Sequence, residues 1–280
     1  MKKLLTLLLL AVGMTAAAGT MKTITVDNEA DFLRALGGNR VIKIADNTRL
    51  NLSTILEYED LCLDVQIPFA DYGEIPTGIK EMLFSEHRFD GRQLTMKNIA
   101  NLTIVGGEGC EIVVEPRYAN VLNFLNCKNI TLRNLTIGHT DEGYCEGGVI
   151  FLENCENVKI DGCDLYGCGT MGIESYNTHE LRCVRTTIRD CSYGIMTLVN
   201  TNNAFFIDSR FVRCREFGLV EIRGEQSYNI DFRRCYFADN QGQLFALGAR
   251  IGMEKCEIHH PEASLGTTEF IMDKDCTWEE

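Results

Sequence analysis

Gly148-Val149-Ile150-Phe151-Leu152, Gly172-Ile173-Glu174-Ser175-Tyr176, Gly194-Ile195-Met196-Thr197-Leu198 and Gly218-Leu219-Val220-Glu221-Ile222 form a series. Each is a glycine followed by a short strand-like run, and the glycines lie 24, 22 and 24 residues apart. Asn120-Val121-Leu122-Asn123-Phe124 and Gln243-Leu244-Phe245-Ala246-Leu247 extend the series at either end without the glycine. A fixed period of this length marks a stacked repeat and is read before any single motif.

Two further short strands follow within each unit. Val158-Lys159-Ile160 turns at Asp161-Gly162 into Cys163-Asp164-Leu165, and Ile130-Thr131-Leu132 runs into Leu135-Thr136-Ile137. Leu181-Arg182-Cys183, Ala204-Phe205-Phe206, Ile230-Asp231-Phe232 and Ile251-Gly252-Met253 continue the pattern. Three short strands cannot bury a face alone. Stacked coil on coil at the ordinary strand spacing of about 4.8 Å, they enclose one continuous core.

This arrangement resembles the right-handed parallel β-helix of the pectin-lyase-like superfamily, clearly over residues 94–260 and more loosely over residues 23–67. The expected fold class is all-β: a right-handed parallel β-helix solenoid of about 22–28 residues per coil. A short N-terminal capping helix is expected over residues 29–36, with Asn28 as its cap, Gly37-Gly38 as its stop, and Phe32, Leu33 and Leu36 over the first coil. Such a lid protects the open edge of a solenoid.

The domain plan is a signal peptide over residues 1–18 and a single β-helix domain over 19–280. Within it, 19–67 form the cap and first coils, 68–92 a loop insertion, 93–260 the regular coils and 261–280 a C-terminal cap. Lys2 and Lys3, the apolar run from Leu4 to Val12 and Ala16-Ala17-Ala18 have the order of a secretory signal. An exported product, periplasmic or extracellular, is expected. No stretch is long and apolar enough for a membrane span. Asn51, Asn101, Asn129 and Asn134 open glycosylation-like triplets, which read here as Asn in turns beside Thr or Ser on strands.

The chain of 280 residues carries 27 Lys+Arg against 40 Asp+Glu, a formal charge of −13, which disfavours nucleic-acid binding. The 45% hydrophobic content supplies a core and excludes disorder. Residues 182–250 hold ten Arg, no Lys and seven acids, so the charge is uneven along the axis. Arg185, Asp208 and Arg234 share a turn column that suits a charge ladder. Among the 13 cysteines, Cys168, Cys191 and Cys214 fall in one column, Cys127 and Cys155 in a second, Cys235 and Cys256 in a third. Parallel Cβ vectors about 4.8 Å apart do not meet disulfide geometry, so the thiols are expected to be free core fillers.

Most loops into the first strand of a unit are short. One is long, Gly138-His139-Thr140-Asp141-Glu142-Gly143-Tyr144-Cys145-Glu146-Gly147. Stacking is expected to set Arg117 and Tyr118 one coil below His139, Tyr166 one coil above, and Arg189 and Asp190 two above. Glu174 is read as a carboxylate in a column otherwise made of Leu122, Ile150, Met196, Val220 and Phe245. The candidate catalytic residues are His139, Glu142, Glu146, Arg117 and Tyr166. The candidate substrate-binding residues are Asp141, Tyr144, Tyr118, Glu174, Arg189 and Asp190. Two carboxylates can hydrolyse a glycosidic bond, and Arg, His or Tyr can take a proton beside a uronate, with Ca²⁺ as the neutralising cation.

The resemblance implies a substrate lying along the first sheet. The polygalacturonase and pectate-lyase signatures are absent: Gly138-His139-Thr140 stands in place of Gly-His-Gly, and Arg250-Ile251-Gly252 in place of Arg-Ile-Lys. The expected function is to act on or bind polysaccharide or surface glycan, as a lyase- or hydrolase-like enzyme. The alternatives are a non-catalytic glycan-binding or cell-surface module, and a purely structural scaffold. The sequence leaves oligomeric state open.

Overall fold

The structure is a computed structural model that describes residues 21–71, 74, 81–140, 147–167 and 170–279. The proposed signal peptide lies outside the described residues. So do Asp141, Glu142, Tyr144, Cys145, Glu146 and Cys168.

The described chain winds into three long sheets, with strands of ten, nine and nine members. The first sheet stacks Gly91–Lys97, Leu122–Leu125, Ile150–Glu153, Met171–Tyr176, Gly194–Val199, Val220–Arg223 and Phe245–Leu247. The second runs from Lys22–Val26 to Ile271–Lys274, and the third from Arg49–Asn51 to Thr277–Glu279. Pairing between coils is parallel and in register, as Ile130↔Val158↔Leu181↔Ala204↔Ile230↔Ile251 illustrates. Inward side chains therefore stack on like side chains. Phe206 and Phe232 lie nearly parallel at 4.7 Å, and Phe211 and Phe237 meet at 4.8 Å with their planes tilted by 45°. Each such ring, fully buried, contributes on the order of 1.5–3 kcal/mol through the hydrophobic effect.

Five strands of the second sheet carry a left-handed Asn as their second residue, in the region that Asn tolerates best among residues with a side chain. Asn101, Asn129, Asn157, Asn203 and Asn229 all have φ between 52° and 60°. Their amides form a ladder: Asn129 Nδ2 donates to Asn101 Oδ1 at 2.7 Å, and Asn157 Nδ2 to Asn129 Oδ1 at 2.8 Å. Asn134 is thus a turn residue, whereas Asn101 and Asn129 are the left-handed second residues of strands Ala100–Gly106 and Lys128–Arg133, and Asn51 ends a strand and donates to Glu115 at 2.7 Å.

The N-terminal lid is the helix Glu29–Ala35, capped by Asn28, whose Oδ1 accepts from the Asp31 N–H at 2.9 Å. Phe32, Leu33 and Leu36 are buried against the first coil. Two expectations change. The segment 68–92 is not all loop: Leu83–Arg88 pairs antiparallel with Gly91–Lys97 and adds a hairpin to the first sheet. The tail is not a separate cap but a further partial coil, through Ile271–Lys274 and Thr277–Glu279. Among the described residues, no helix is long and apolar enough to cross a membrane.

All eleven described cysteines are free thiols, ten of them buried. Cys191 and Cys214 share a column, as do Cys127 and Cys155, and Cys235 and Cys256, as the register of their neighbours requires. Arg234 holds Asp208 through two bonds of 2.6 and 3.0 Å. Arg185 instead reaches Asp161, which also pairs with Lys159 at 2.8 Å. Burial pulls the Asp161 carboxyl up, but Lys159 and Arg185 outweigh it and hold it below its ordinary range.

Candidate functional site

A continuous lip leads into the first sheet. Gly147 N–H donates to Arg117 O at 3.0 Å, Thr170 N–H to Gly147 O at 2.9 Å, Tyr193 N–H to Thr170 O at 3.0 Å and Phe217 N–H to Tyr193 O at 3.3 Å. Arg117, Gly147, Thr170, Tyr193 and Phe217 are therefore successive steps of one ladder, one coil each. Two aromatic pairs stand on this lip. Phe217, 61% exposed, stacks on Tyr193 at 5.4 Å; Phe89, 81% exposed, packs on Tyr118 at 5.1 Å.

Beside the lip lies the outer face of the first sheet. The register Asn123↔Phe151↔Glu174↔Thr197↔Glu221↔Ala246 fixes one outward column. This corrects the sequence reading of Glu174, whose neighbours are not Leu122 and Ile150. Gly172 is displaced by one residue from Gly148, so that Ile173 pairs with Ile150. A shift of one residue turns every side chain to the other face.

Glu174 is half-buried there. Its Oε1 accepts from Thr170 Oγ1 at 3.3 Å and its Oε2 lies 3.5 Å from the Tyr176 hydroxyl. Gly148 makes room for it, since a Cβ at that position would come within 2.7 Å of Oε1. Burial pushes the Glu174 carboxyl up to about 6, against smaller lowering contributions from Thr170, Tyr176 and Arg88. Two strands along the same column, Glu221 accepts from Thr197 Oγ1 at 3.2 Å and pairs with Arg223 at 3.1 Å.

On the other side of Glu174, the hairpin presents a buried polar network. Glu86 pairs with Arg88 at 3.1 Å and accepts from Gln93 at 2.9 Å and Thr95 at 2.6 Å. Asn123 donates to Thr95 at 2.9 Å, and its buried Oδ1 has no hydrogen-bond partner. Sequence reasoning passed over Glu86, Arg88, Gln93, Thr95, Asn123 and Glu221. The signal was present for the hairpin: Asp90-Gly91 flanked by alternating Glu86, Arg88, Gln93 and Thr95 is a hairpin pattern.

The other predicted residues take different places. His139 pairs in register with Val114, and the coil neighbour of Arg117 is Gly147. The His139 side chain is 2% exposed and turned away from solvent. Its Nε2 lies 2.9 Å from Ala119 O, and burial lowers its pKa. Stepping up the third sheet puts His260 in the same column, with the same bond from Nε2 to Gly242 O at 2.9 Å. The repeat of one bond at two coils marks a device that pins the loop into the first sheet.

Tyr166 stacks over Gly138, not over His139; a Cβ on Gly138 would meet the Tyr166 carbonyl at 2.5 Å and its ring at 2.7 Å. The Tyr166 hydroxyl donates to Glu111, and burial followed by that bond raises its pKa, so it remains a phenol. Arg189 holds Asp164 through two bonds of 2.8 Å and lies 4.7 Å from the Tyr166 ring. Asp190 is gripped by Arg213 at 2.7 and 3.0 Å. These groups form an ion-pair ladder along the third sheet. Arg117 and Tyr118 sit on the lip, their backbone N–H groups bonded to Asp90 at 2.6 and 3.1 Å. Among the described residues, no three His, Cys, Asp or Glu side chains converge as a metal site would require.

The family described as right handed beta helix region matches residues 120–268, more than half of the chain. The chain belongs to the right-handed β-helix family. Among solved structures, this β-helix is similar to a Parabacteroides merdae protein provisionally described as a glycosyl hydrolase. That match has 16% identity and a TM-score of 0.42, and covers 54% of this chain and 82% of the other. It is also similar to the thermostable pectate lyase PL 47, at 12% identity and a TM-score of 0.38, covering 92% of this chain and 86% of the other. No curated protein matches the β-helix.

Proposed function

We propose that this exported β-helix binds and cleaves a polysaccharide laid along the outer face of its first sheet, with Glu174 and Glu221 as the working carboxylates. Export is supported by the basic, apolar and small-residue order of residues 1–18. The observation that carries the reading is Glu174 itself: a half-buried carboxyl raised to about 6, on an outward column between two aromatic pairs, each with an exposed Phe. Such a group is a proton donor close to neutral pH. Glu221 is two strand spacings away, roughly 10 Å at the backbone, the order of separation at which a water fits between acid and base. Held by Arg223 and Thr197, it is the partner that activates that water. Glu174 then protonates the departing glycosidic oxygen while the water attacks the opposite face of the sugar.

A second reading, glycan binding without turnover, is favoured by one observation: His139 and Tyr166, the base candidates legible in the sequence, are both committed to internal bonds. The test is a panel of neutral and uronate-containing polysaccharides incubated with wild type, Glu174→Gln and Glu221→Gln. New reducing ends and unsaturated products are both read. Hydrolysis lost in both variants supports the enzyme reading. Product formation unchanged in Glu174→Gln rejects Glu174 as the acid, and saturable binding by wild type without product selects the binding module.

A further inference from the structure

At the N-terminal end of the lip lies an open pocket of about 300 Å³, lined by Ser53, Glu57, Asp90, Glu115, Pro116 and Arg117. That volume is at the lower end for ligand pockets and suits a single sugar ring. Its carboxylates are held in place. Glu57 Oε1 accepts from Arg92 N–H at 2.6 Å, Asp90 from the N–H groups of Arg117 and Tyr118 at 2.6 and 3.1 Å, and Glu115 from Asn51 Nδ2 at 2.7 Å. A carboxylate offers about four acceptor positions, so each retains capacity for a further donor. Phe89 and Tyr118 are the chain neighbours of Asp90 and Arg117, and set an aromatic pair beside the pocket, Phe89 exposed and Tyr118 half-buried.

We infer that this pocket is a sugar-binding subsite selective for a neutral pyranose, with Phe89 as its stacking platform. The inference rests on the proposed glycan groove. The bare C–H face of a pyranose meets the negative face of an aromatic ring, and its hydroxyls donate to the fixed carboxylates. Three carboxylates against one arginine leave the lining negative, which repels a uronate and favours a neutral ring. The lip step of Tyr118 is two coils from that of Thr170, the Glu174 partner, or about 10 Å. A pyranose unit is comparable in length with one strand spacing, so the ring in this pocket belongs to the same bound chain, about two units from the cleavage position.

The experiment is titration calorimetry with hexasaccharides of β-1,4-glucose, β-1,4-mannose, β-1,4-xylose and α-1,4-galacturonate. Wild type, Phe89→Ala, Glu115→Gln and Glu174→Gln are compared, each checked for an unchanged melting transition. At least one neutral hexasaccharide is expected to bind, more tightly than galacturonate, with affinity reduced tenfold or more in Phe89→Ala and severalfold in Glu115→Gln. Glu174→Gln provides a non-hydrolysing background in which the Phe89→Ala and Glu115→Gln comparison is repeated. Neutral binding that survives both Phe89→Ala and Glu115→Gln overturns the subsite and leaves the groove standing. Preference for galacturonate overturns the neutral selectivity alone. Binding of none of the four overturns the subsite and counts against the groove as well.

Discussion

The Glu174 carboxyl lies above its ordinary value in the folded chain. Its ionisation therefore opposes folding. Below the ordinary carboxylate value of 4.5 it is protonated in both states and costs nothing; above about 6 it is ionised in both, and the cost is complete. Glu174→Gln is expected to be more stable than wild type at pH 7–8 by on the order of 1–2 kcal/mol and equally stable at pH 4, as read by melting temperature. As a proton donor, Glu174 should also give turnover that falls as pH rises through about 6. Stability curves that run parallel at all pH values would contradict the burial argument. His139 gives the opposite case. His139→Ala leaves the Ala119 carbonyl buried without its donor, so a loss of about 1–3 kcal/mol is expected in urea titration. Turnover by the folded fraction should persist, which separates pinning the loop from acting on substrate.

At the scale of elements, the turns are set by Asn and the strands by alternation. Asn129 both donates to Asn101 and accepts from Asn157, and sits at φ 55°. Asn129→Ala breaks two bonds and leaves a residue with a poor left-handed conformation. A loss of about 2–4 kcal/mol is expected, measured by urea unfolding. A loss below half of that would mean that backbone pairing alone holds the start of this strand. The hairpin Leu83–Lys97 shows what local reading can miss. Its Asp90-Gly91 turn was legible, but it lies in a stretch outside the repeat. Its polar residues gain meaning only where antiparallel pairing sets Glu86 against Gln93.

At the scale of the whole molecule, the column geometry that makes the core also isolates the thiols. Burial raises Cys163 to about 11 and Cys183 to about 12, so neither is a thiolate near neutral pH. The ten buried cysteines are expected to resist alkylation in the native protein and to react together on unfolding, as mass spectrometry would count. Several native disulfides, or rapid labelling of the folded chain, would refute the stacked arrangement. The ion-pair ladders of Asp164, Arg189, Asp190 and Arg213 add little individually, since exposed pairs contribute at most about 1 kcal/mol. Their place on the third sheet leaves the first sheet for the candidate groove.

The sequence by itself determined the solenoid, its period, the capping helix and the thiol columns, because those follow from periodicity, and periodicity is a property of the chain. It also carried the β-helix resemblance that the family match bears out. Only the tertiary structure decided which face each side chain meets. The offset between Gly148 and Gly172 is one residue, and in a strand one residue exchanges inside for outside. That single step moved Glu174 from an apolar column to the outer face, while the inward turn of His139 onto Ala119 withdrew it from solvent.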